Sequence, residues 1–252
     1  MSAPLAAPAF YALDLGQPGS ERHVVHINVH GRARATLYCG DAYAIRPTLG
    51  WMDCDCMDPP YVIKASGAGK YRKRRPMMDQ LIAEGLHTGF DMTIINPLQC
   101  GAVIVFAHND QLAELLTLAK GHFHRNALCV WQKTNPQPVA NKHYRPDLEF
   151  YVHAWNRDFH PTGDMGDKLR LSRIGSPRGD DRFDHPTVKP DDLMTKIMAN
   201  VAGHTVCDPF MGTGSTGVAA VRAGKYFWGI EHNPKHFETA VRRITAAVEE
   251  VA

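Results

Sequence analysis

Short apolar runs alternate along the chain with stretches in which apolar residues recur every three or four positions. That alternation belongs to strands wound between helices rather than to an all-helical or all-strand chain. The runs predict strands at residues 35–39, 51–57, 102–107, 127–131, 148–154, 204–207 and 226–230. Helical spacing predicts a helix at 110–120, with Leu112, Leu115, Leu116 and Ala119 on one face, and another at 191–201 behind the acidic first turn of Asp191 and Asp192. Further helices are predicted at 215–223 and at 234–251, where Phe237, Ala240, Val241, Ile244 and Val248 share a face. The fold class is therefore α/β, a mostly parallel sheet with helices on both faces. One strand is unusual: Asp53 and Asp55 put two carboxylates on one face of 51–57.

The pattern divides the chain into an N-terminal leader at 1–34, rich in Ala and Pro at its start, and one domain at 35–252. Within the domain, about 156–184 is dense in Gly, Pro, Asp and Arg without periodicity and reads as an exposed recognition insert. No run approaches the roughly 18 apolar residues of a membrane span. The leader lacks the basic start and apolar core of a signal peptide. Six scattered cysteines fit a reducing, cytoplasmic setting. Cys54 and Cys56 are too close together for the usual zinc spacing, and His23, His26 and His30 match no zinc signature, so no metal is expected.

A net charge of +2 neither demands nor excludes a polyanionic partner, but its distribution is uneven. Lys70, Arg72, Lys73, Arg74 and Arg75 cluster around Tyr71, and Lys168, Arg170, Arg173 and Arg178 form a second group. Each group is a solvated surface or a set of phosphate contacts.

The strand at 204–207 runs into Asp208-Pro209-Phe210-Met211-Gly212-Thr213-Gly214-Ser215-Thr216 and then a helix. Such a glycine turn either packs the helix on the strand or admits a nucleotide-like ligand to the backbone. Glu231, ending the next strand, is placed to accept ribose hydroxyls. The turn has no Gly-Lys-Ser/Thr ending and an incomplete dinucleotide pattern, which favours a phosphate-free ligand such as S-adenosylmethionine.

Asp58-Pro59-Pro60-Tyr61 is either an ordinary turn or an amine-binding motif. The lone pair of an exocyclic amine is delocalised into its base, so attack on an electrophilic methyl is helped by acceptors that hold the amino hydrogens. Asp58 and the rigidly placed carbonyl of Pro59 suit that task, and Tyr61 can stack on an extruded base. No strong base is required, because the nitrogen becomes acidic only after methylation.

These elements resemble the β-class amino-group DNA methyltransferases, in which the acceptor motif precedes the cofactor motif. Asp58 to Tyr61, His185-Pro186-Thr187-Val188-Lys189-Pro190 and Asp208 to Gly214 occur in that order. They are joined by Gly40-Asp41, by Trp131-Gln132-Lys133-Thr134-Asn135-Pro136 and by Gly229-Ile230-Glu231-His232-Asn233-Pro234. The resemblance implies a seven-stranded Rossmann-like methyltransferase sheet with a circularly permuted motif order, using S-adenosylmethionine to methylate double-stranded DNA. It implies Asp58, Pro59, Pro60 and Tyr61 as catalytic residues. The implied cofactor pocket comprises Asp41 and Ala42; His185, Thr187 and Lys189 near the methionine end; Asp208, Pro209, Phe210, Gly212, Gly214, Ser215 and Thr216; and Glu231, His232 and Asn233. Lys133 and Asn135 join the two basic groups as implied DNA contacts. It further implies a homodimer from a bacterium or phage. Asp58 in the first motif position favours N6 of adenine; N4 of cytosine and a catalytically silent DNA-binding regulator are the alternatives.

Overall fold

Along β4 (Cys100–Ala107) every residue is buried, with Ala102, Ile104 and Phe106 in one core cluster and Val103, Val105 and Ala107 in another. A strand apolar on both faces requires a covering layer on each. The computed structural model describes residues 23–62, 88–136, 144–178 and 188–252. Its other strands are β1 (His23–Val29), β2 (Arg32–Cys39), β3 (Met52–Met57), β5 (Arg125–Lys133), β6 (Leu148–Trp155), β7 (Leu171–Ile174), β8 (Thr205–Asp208) and β9 (Tyr226–Glu231). They form one sheet in the order β1-β2-β9-β8-β3-β4-β6-β5-β7. The five strands from β2 to β4 in that order are mutually parallel. β6 runs antiparallel to both β4 and β5, and β1 is antiparallel to β2.

The helices are α1 (Ala42–Ile45), α2 (Asn109–His122), α3 (Asp191–Ala199), α4 (Ser215–Arg222) and α5 (Pro234–Val251). On one face α3, α4 and α5 bury Leu193, Val218, Ala240 and Ile244 with Leu37, Cys54 and Ile104 of the sheet. On the other, α1 and α2 bury Ile45, Leu115 and Ala119 with Met57, Val103 and Val152. Each such large aliphatic side chain contributes about 1.5–3 kcal/mol.

The α/β class holds, but among the described residues the sheet has nine strands where the resemblance implied seven. β1 lies inside the predicted leader and pairs along its length with β2. β7 lies inside the stretch read as irregular and pairs in parallel with β5. Both are edge strands; β1 is half exposed and β7 only four residues long, so neither carries a strong apolar period.

The two carboxylates of β3 have separate partners. Arg46 donates from Nε to Asp55 Oδ2 at 2.9 Å and from Nη2 to Asp55 Oδ1 at 3.0 Å, both side chains 1% exposed. Arg46 also donates to the carbonyls of Gly50 and Gln99. Burial pushes the Asp55 carboxyl up to about 6 against the pull of Arg46. Asp53 Oδ2 accepts the backbone N–H of His204 at 2.7 Å and of Thr205 at 2.9 Å, fastening the start of β8 to β3.

From β3 the next strand in the sheet sequence lies on one side, and from β8 it lies on the other. The connections leaving these two adjacent strands therefore diverge, and their carboxyl ends open a crevice, the place where open α/β sheets bind ligands.

Candidate active site

Asp58 leaves the carboxyl end of β3 and Asp208 ends the neighbouring β8, so both sequence motifs border this crevice. The Asp58 side is a network of charge. Tyr61 Oη donates to Asp58 Oδ1 at 2.8 Å, and the ammonium of Lys189 donates to Asp58 Oδ2. Lys189 is only 5% exposed; its Nζ lies 3.4 Å from Tyr61 Oη and 4.7 Å from the centre of the Phe106 ring. Burial pushes the Asp58 carboxyl above its ordinary range, Lys189 opposes that shift, and the negative charge of Glu149 adds to it.

The behaviour of the turn after Asp58 is local chemistry. Two consecutive prolines remove backbone donors and hold the chain extended. Gln111, 4% exposed in the first turn of α2, then ties the motif down by donating to the Pro60 carbonyl and accepting from the N–H of Val62. The Tyr61 ring lies beside His108 at 6.4 Å between centroids.

On the Asp208 side the chain turns tightly: Met211 N–H bonds to the Ile230 carbonyl and Gly214 N–H to that of Met211. Gly212 has φ 52° and Gly214 φ 87°, backbone that favours glycine. Glu231, 7% exposed, accepts Gly212 N–H at 2.9 Å and Asn233 N–H at 2.7 Å. Burial raises its carboxyl, but bonds from His232 and the Asn233 backbone outweigh this and leave it below the ordinary value. Asp208 accepts Phe210 N–H at 2.9 Å, and burial, only partly countered by its bonds with Thr216 and Phe210, pushes it up to about 7. Beside Glu231, whose carbonyl accepts Gly40 N–H, Asp41 caps α1 through Tyr43 N–H, and the rings of Tyr43 and Phe90 both meet Phe210 edge-on.

The structure thus gathers Asp41, Ala42, Asp208 to Thr216 and Glu231 about one end of the crevice and Asp58, Tyr61 and Lys189 about the other. Lys189, expected from the resemblance near the methionine end of the cofactor, is paired here with Asp58. Asn233 spends its side chain capping α5 through Lys235 N–H, and His232 is exposed with Nδ1 3.3 Å from Glu231. His185, Thr187 and the cluster Lys70 to Arg75 lie outside the described residues. Of the implied DNA contacts, Lys133 pairs with Glu149 at 2.6 Å and Asn135 exchanges two hydrogen bonds with Ser176, so both side chains are engaged internally. Lys168, Arg170, Arg173 and Arg178 are exposed, with Arg173 also donating to Gln132.

Glu149 is the site residue that the sequence reading missed. It occupies the second position of β6, and because β6 runs antiparallel to β4, its start reaches the end of the sheet where Asp58 lies. Nothing in the local pattern marks it. Among the described residues no group of three or more His, Cys, Asp or Glu could hold a metal, and no helix is long and apolar enough to cross a membrane.

A family model described as DNA methylase matches residues 53–242. The Type II methyltransferase M2.DpnII of Streptococcus pneumoniae is 30% identical over 136 residues, 48% of this chain and 51% of that protein. The chain spans about half the length of the curated relatives it matches. Among solved structures, the M1.HpyAVI–SAM complex superposes with a TM-score of 0.61 at 24% identity, covering 83% of this chain and 98% of that one. The cytosine-N4-specific PvuII DNA methyltransferase superposes at 0.59 with 13% identity, covering 86% and 92%. At these identities the superpositions establish the fold.

Proposed function

The chain belongs to the DNA methylase family that the match over residues 53–242 defines, and from that premise we propose that it methylates N6 of adenine in double-stranded DNA, with S-adenosylmethionine as donor. The observation that carries the reading is the Asp58–Tyr61 unit at the carboxyl end of β3, next to β8, whose own carboxyl end enters the glycine turn.

The donor set at the turn fits a nucleoside without phosphates. Glu231 uses lone pairs for Gly212 and Asn233 and keeps acceptor capacity for hydroxyls, since a carboxylate offers about four acceptor positions. Phe210, Tyr43 and Phe90 offer aromatic surface for a base. The turn from Asp208 to Thr216 carries no Lys or Arg to answer a phosphate. Bound there, S-adenosylmethionine supplies a methyl group already activated by its sulfonium charge. What remains to the protein is positioning and desolvation.

Asp58 accepts a hydrogen of the target amine, with the Pro59 carbonyl as the second acceptor, which turns the nitrogen lone pair toward the methyl. Tyr61 fixes the Asp58 carboxylate by its 2.8 Å hydrogen bond and offers a ring for stacking. Asp58 acts as an orienting acceptor, and the amine loses its proton only once the nitrogen carries the methyl and a positive charge. Cytosine N4 presents the same amine beside a ring nitrogen, so base choice rests on the aspartate that opens the motif.

Equilibrium binding of S-adenosylmethionine beside a transfer assay separates the two halves of the site. Glu231→Ala is expected to weaken binding about 10-fold or more, the loss of a charge-assisted pair. Asp58→Ala is expected to bind within about twofold of wild type yet lose transfer by roughly 100-fold or more. Loss of binding in Asp58→Ala with Glu231→Ala unaffected would reverse the assignment.

A further inference from the structure

Glu149 takes no part in the transfer step proposed for Asp58, yet it is the second carboxylate of the network. Its Oε1 is held by Lys133 Nζ at 2.6 Å, and Lys133 in turn lies over the Trp131 ring at 5.1 Å. Its Oε2 is sealed from solvent, has no hydrogen-bond partner, and sits 3.4 Å from Lys189 Nζ. That oxygen is ion-paired with Lys189 without a well-formed hydrogen bond, so the ammonium lies between two carboxylates and is held more closely by Asp58. Lys189 makes its hydrogen bonds to Asp58 and Tyr61, which leaves one of its three donors for Glu149 at the longer distance. Lone pairs remain on both Asp58 oxygens, but an ammonium held on Oδ2 draws on the negative charge that an approaching amine would meet and so weakens Asp58 as its acceptor.

We propose that Glu149 is a positioning residue for methyl transfer: it receives the Lys189 ammonium when the target amine takes over Asp58. The proposal rests on the reading of Asp58 as the amine acceptor. A small shift of Nζ toward Oε2 turns the looser ion pair into a hydrogen bond and frees Asp58 without removing the cation from the site. The surroundings permit such a shift. The rings of Phe106 and Tyr61 lie 5.6 Å or less from Nζ and attract the cation while it exchanges its hydrogen bond with Asp58 for one with Glu149. Lys133 anchors the far oxygen of Glu149, so the receiving carboxylate stays in place. Burial opposes the charge on Lys189, but Asp58 and Glu149 together keep it an ammonium. Burial likewise opposes the charge on Glu149, and Lys189 and Lys133 prevail in keeping it a carboxylate.

The groups facing Asp58 are Lys189, Tyr61, Glu149, Asp208 and the Cys56 thiol. Removing the Glu149 charge removes one influence that raises the Asp58 carboxyl, so the acid limb of the kcat–pH profile moves to lower pH. A Glu149 that acted only by filling space would lower thermal stability and leave that limb where it is; a loss of kcat at nearly constant KM then separates positioning of Lys189 from the charge effect on Asp58 alone.

The test compares wild type, Glu149→Gln, Glu149→Asp and Asp58→Ala in the same DNA transfer assay, with kcat, KM for S-adenosylmethionine and the pH profile measured for each. Glu149→Gln is expected to lose kcat roughly 10- to 100-fold, with KM within about threefold and the acid limb shifted down. Glu149→Asp, which restores the charge one methylene short, is expected to recover part of kcat and the wild-type limb; it carries the comparison alone if the Gln variant does not fold. Wild-type kcat in Glu149→Gln, or a loss with the limb unmoved, would overturn the proposal. An active Asp58→Ala would instead sink the reading beneath it, so the two failures are told apart.

Discussion

Asp208 shows how a single buried side chain sets the pH response of the crevice. Its carboxyl stands at about 7 in the folded chain against an ordinary 3.8. Between those values the folded protein holds a proton that the unfolded chain has released. Its contribution to stability is therefore present in full below about pH 4 and is lost as pH rises toward 7, by at most about 1.4 kcal/mol per pH unit. Asp208→Asn keeps an oxygen to accept Phe210 N–H but cannot ionise. Urea midpoints at pH 5 and pH 8 are expected to fall more in wild type than in this variant; parallel behaviour would show that Asp208 ionises without cost. Residues of this kind were legible in the sequence by identity but not by state, because burial and partners come from the fold.

At the scale of elements, β3 depends on a partner outside the sheet. Arg46→Met leaves the Asp55 carboxylate buried without its bidentate partner, and the expected loss is about 3–5 kcal/mol by urea unfolding. Adding Asp55→Asn removes the stranded charge and is expected to recover part of that loss, a non-additivity that marks direct coupling. Two carboxylates in a buried strand looked anomalous in the sequence because Arg46 and the start of β8 were not yet beside them. Elements with long apolar periods were read well: α5 runs over 234–251 as expected, and β9 closes on Glu231. β1 and β7 were missed because a half-exposed edge or a four-residue strand leaves little pattern. The motifs themselves were plain, since each is contiguous. The network of Asp58, Glu149 and Lys189 was not, since it joins three distant segments through the reversed direction of β6, and strand direction leaves no local trace.

Across the whole molecule, chemistry and DNA affinity are expected to reside in different parts of the chain. If the cluster at 70–75 meets phosphates, neutralising Lys70, Arg72, Lys73, Arg74 and Arg75 reduces the slope of log affinity against log salt, by about 0.9 for each phosphate left without its cation, and leaves base choice unchanged. A salt titration of DNA binding checks this, and an unchanged slope assigns the cluster to solvent. The parallel order of β2 to β4, the divergence at β3 and β8 and the charge network at Asp58 all converge on one crevice. The most direct measurement of what that crevice does is to incubate the protein with unmethylated duplex DNA and methyl-labelled S-adenosylmethionine, digest the DNA completely and identify the labelled nucleoside by mass spectrometry. The expected result is labelled N6-methyladenine, absent with Asp58→Ala. Labelled N4-methylcytosine would contradict the base assignment, and no labelled nucleoside from a protein that binds the donor would contradict the proposed activity itself.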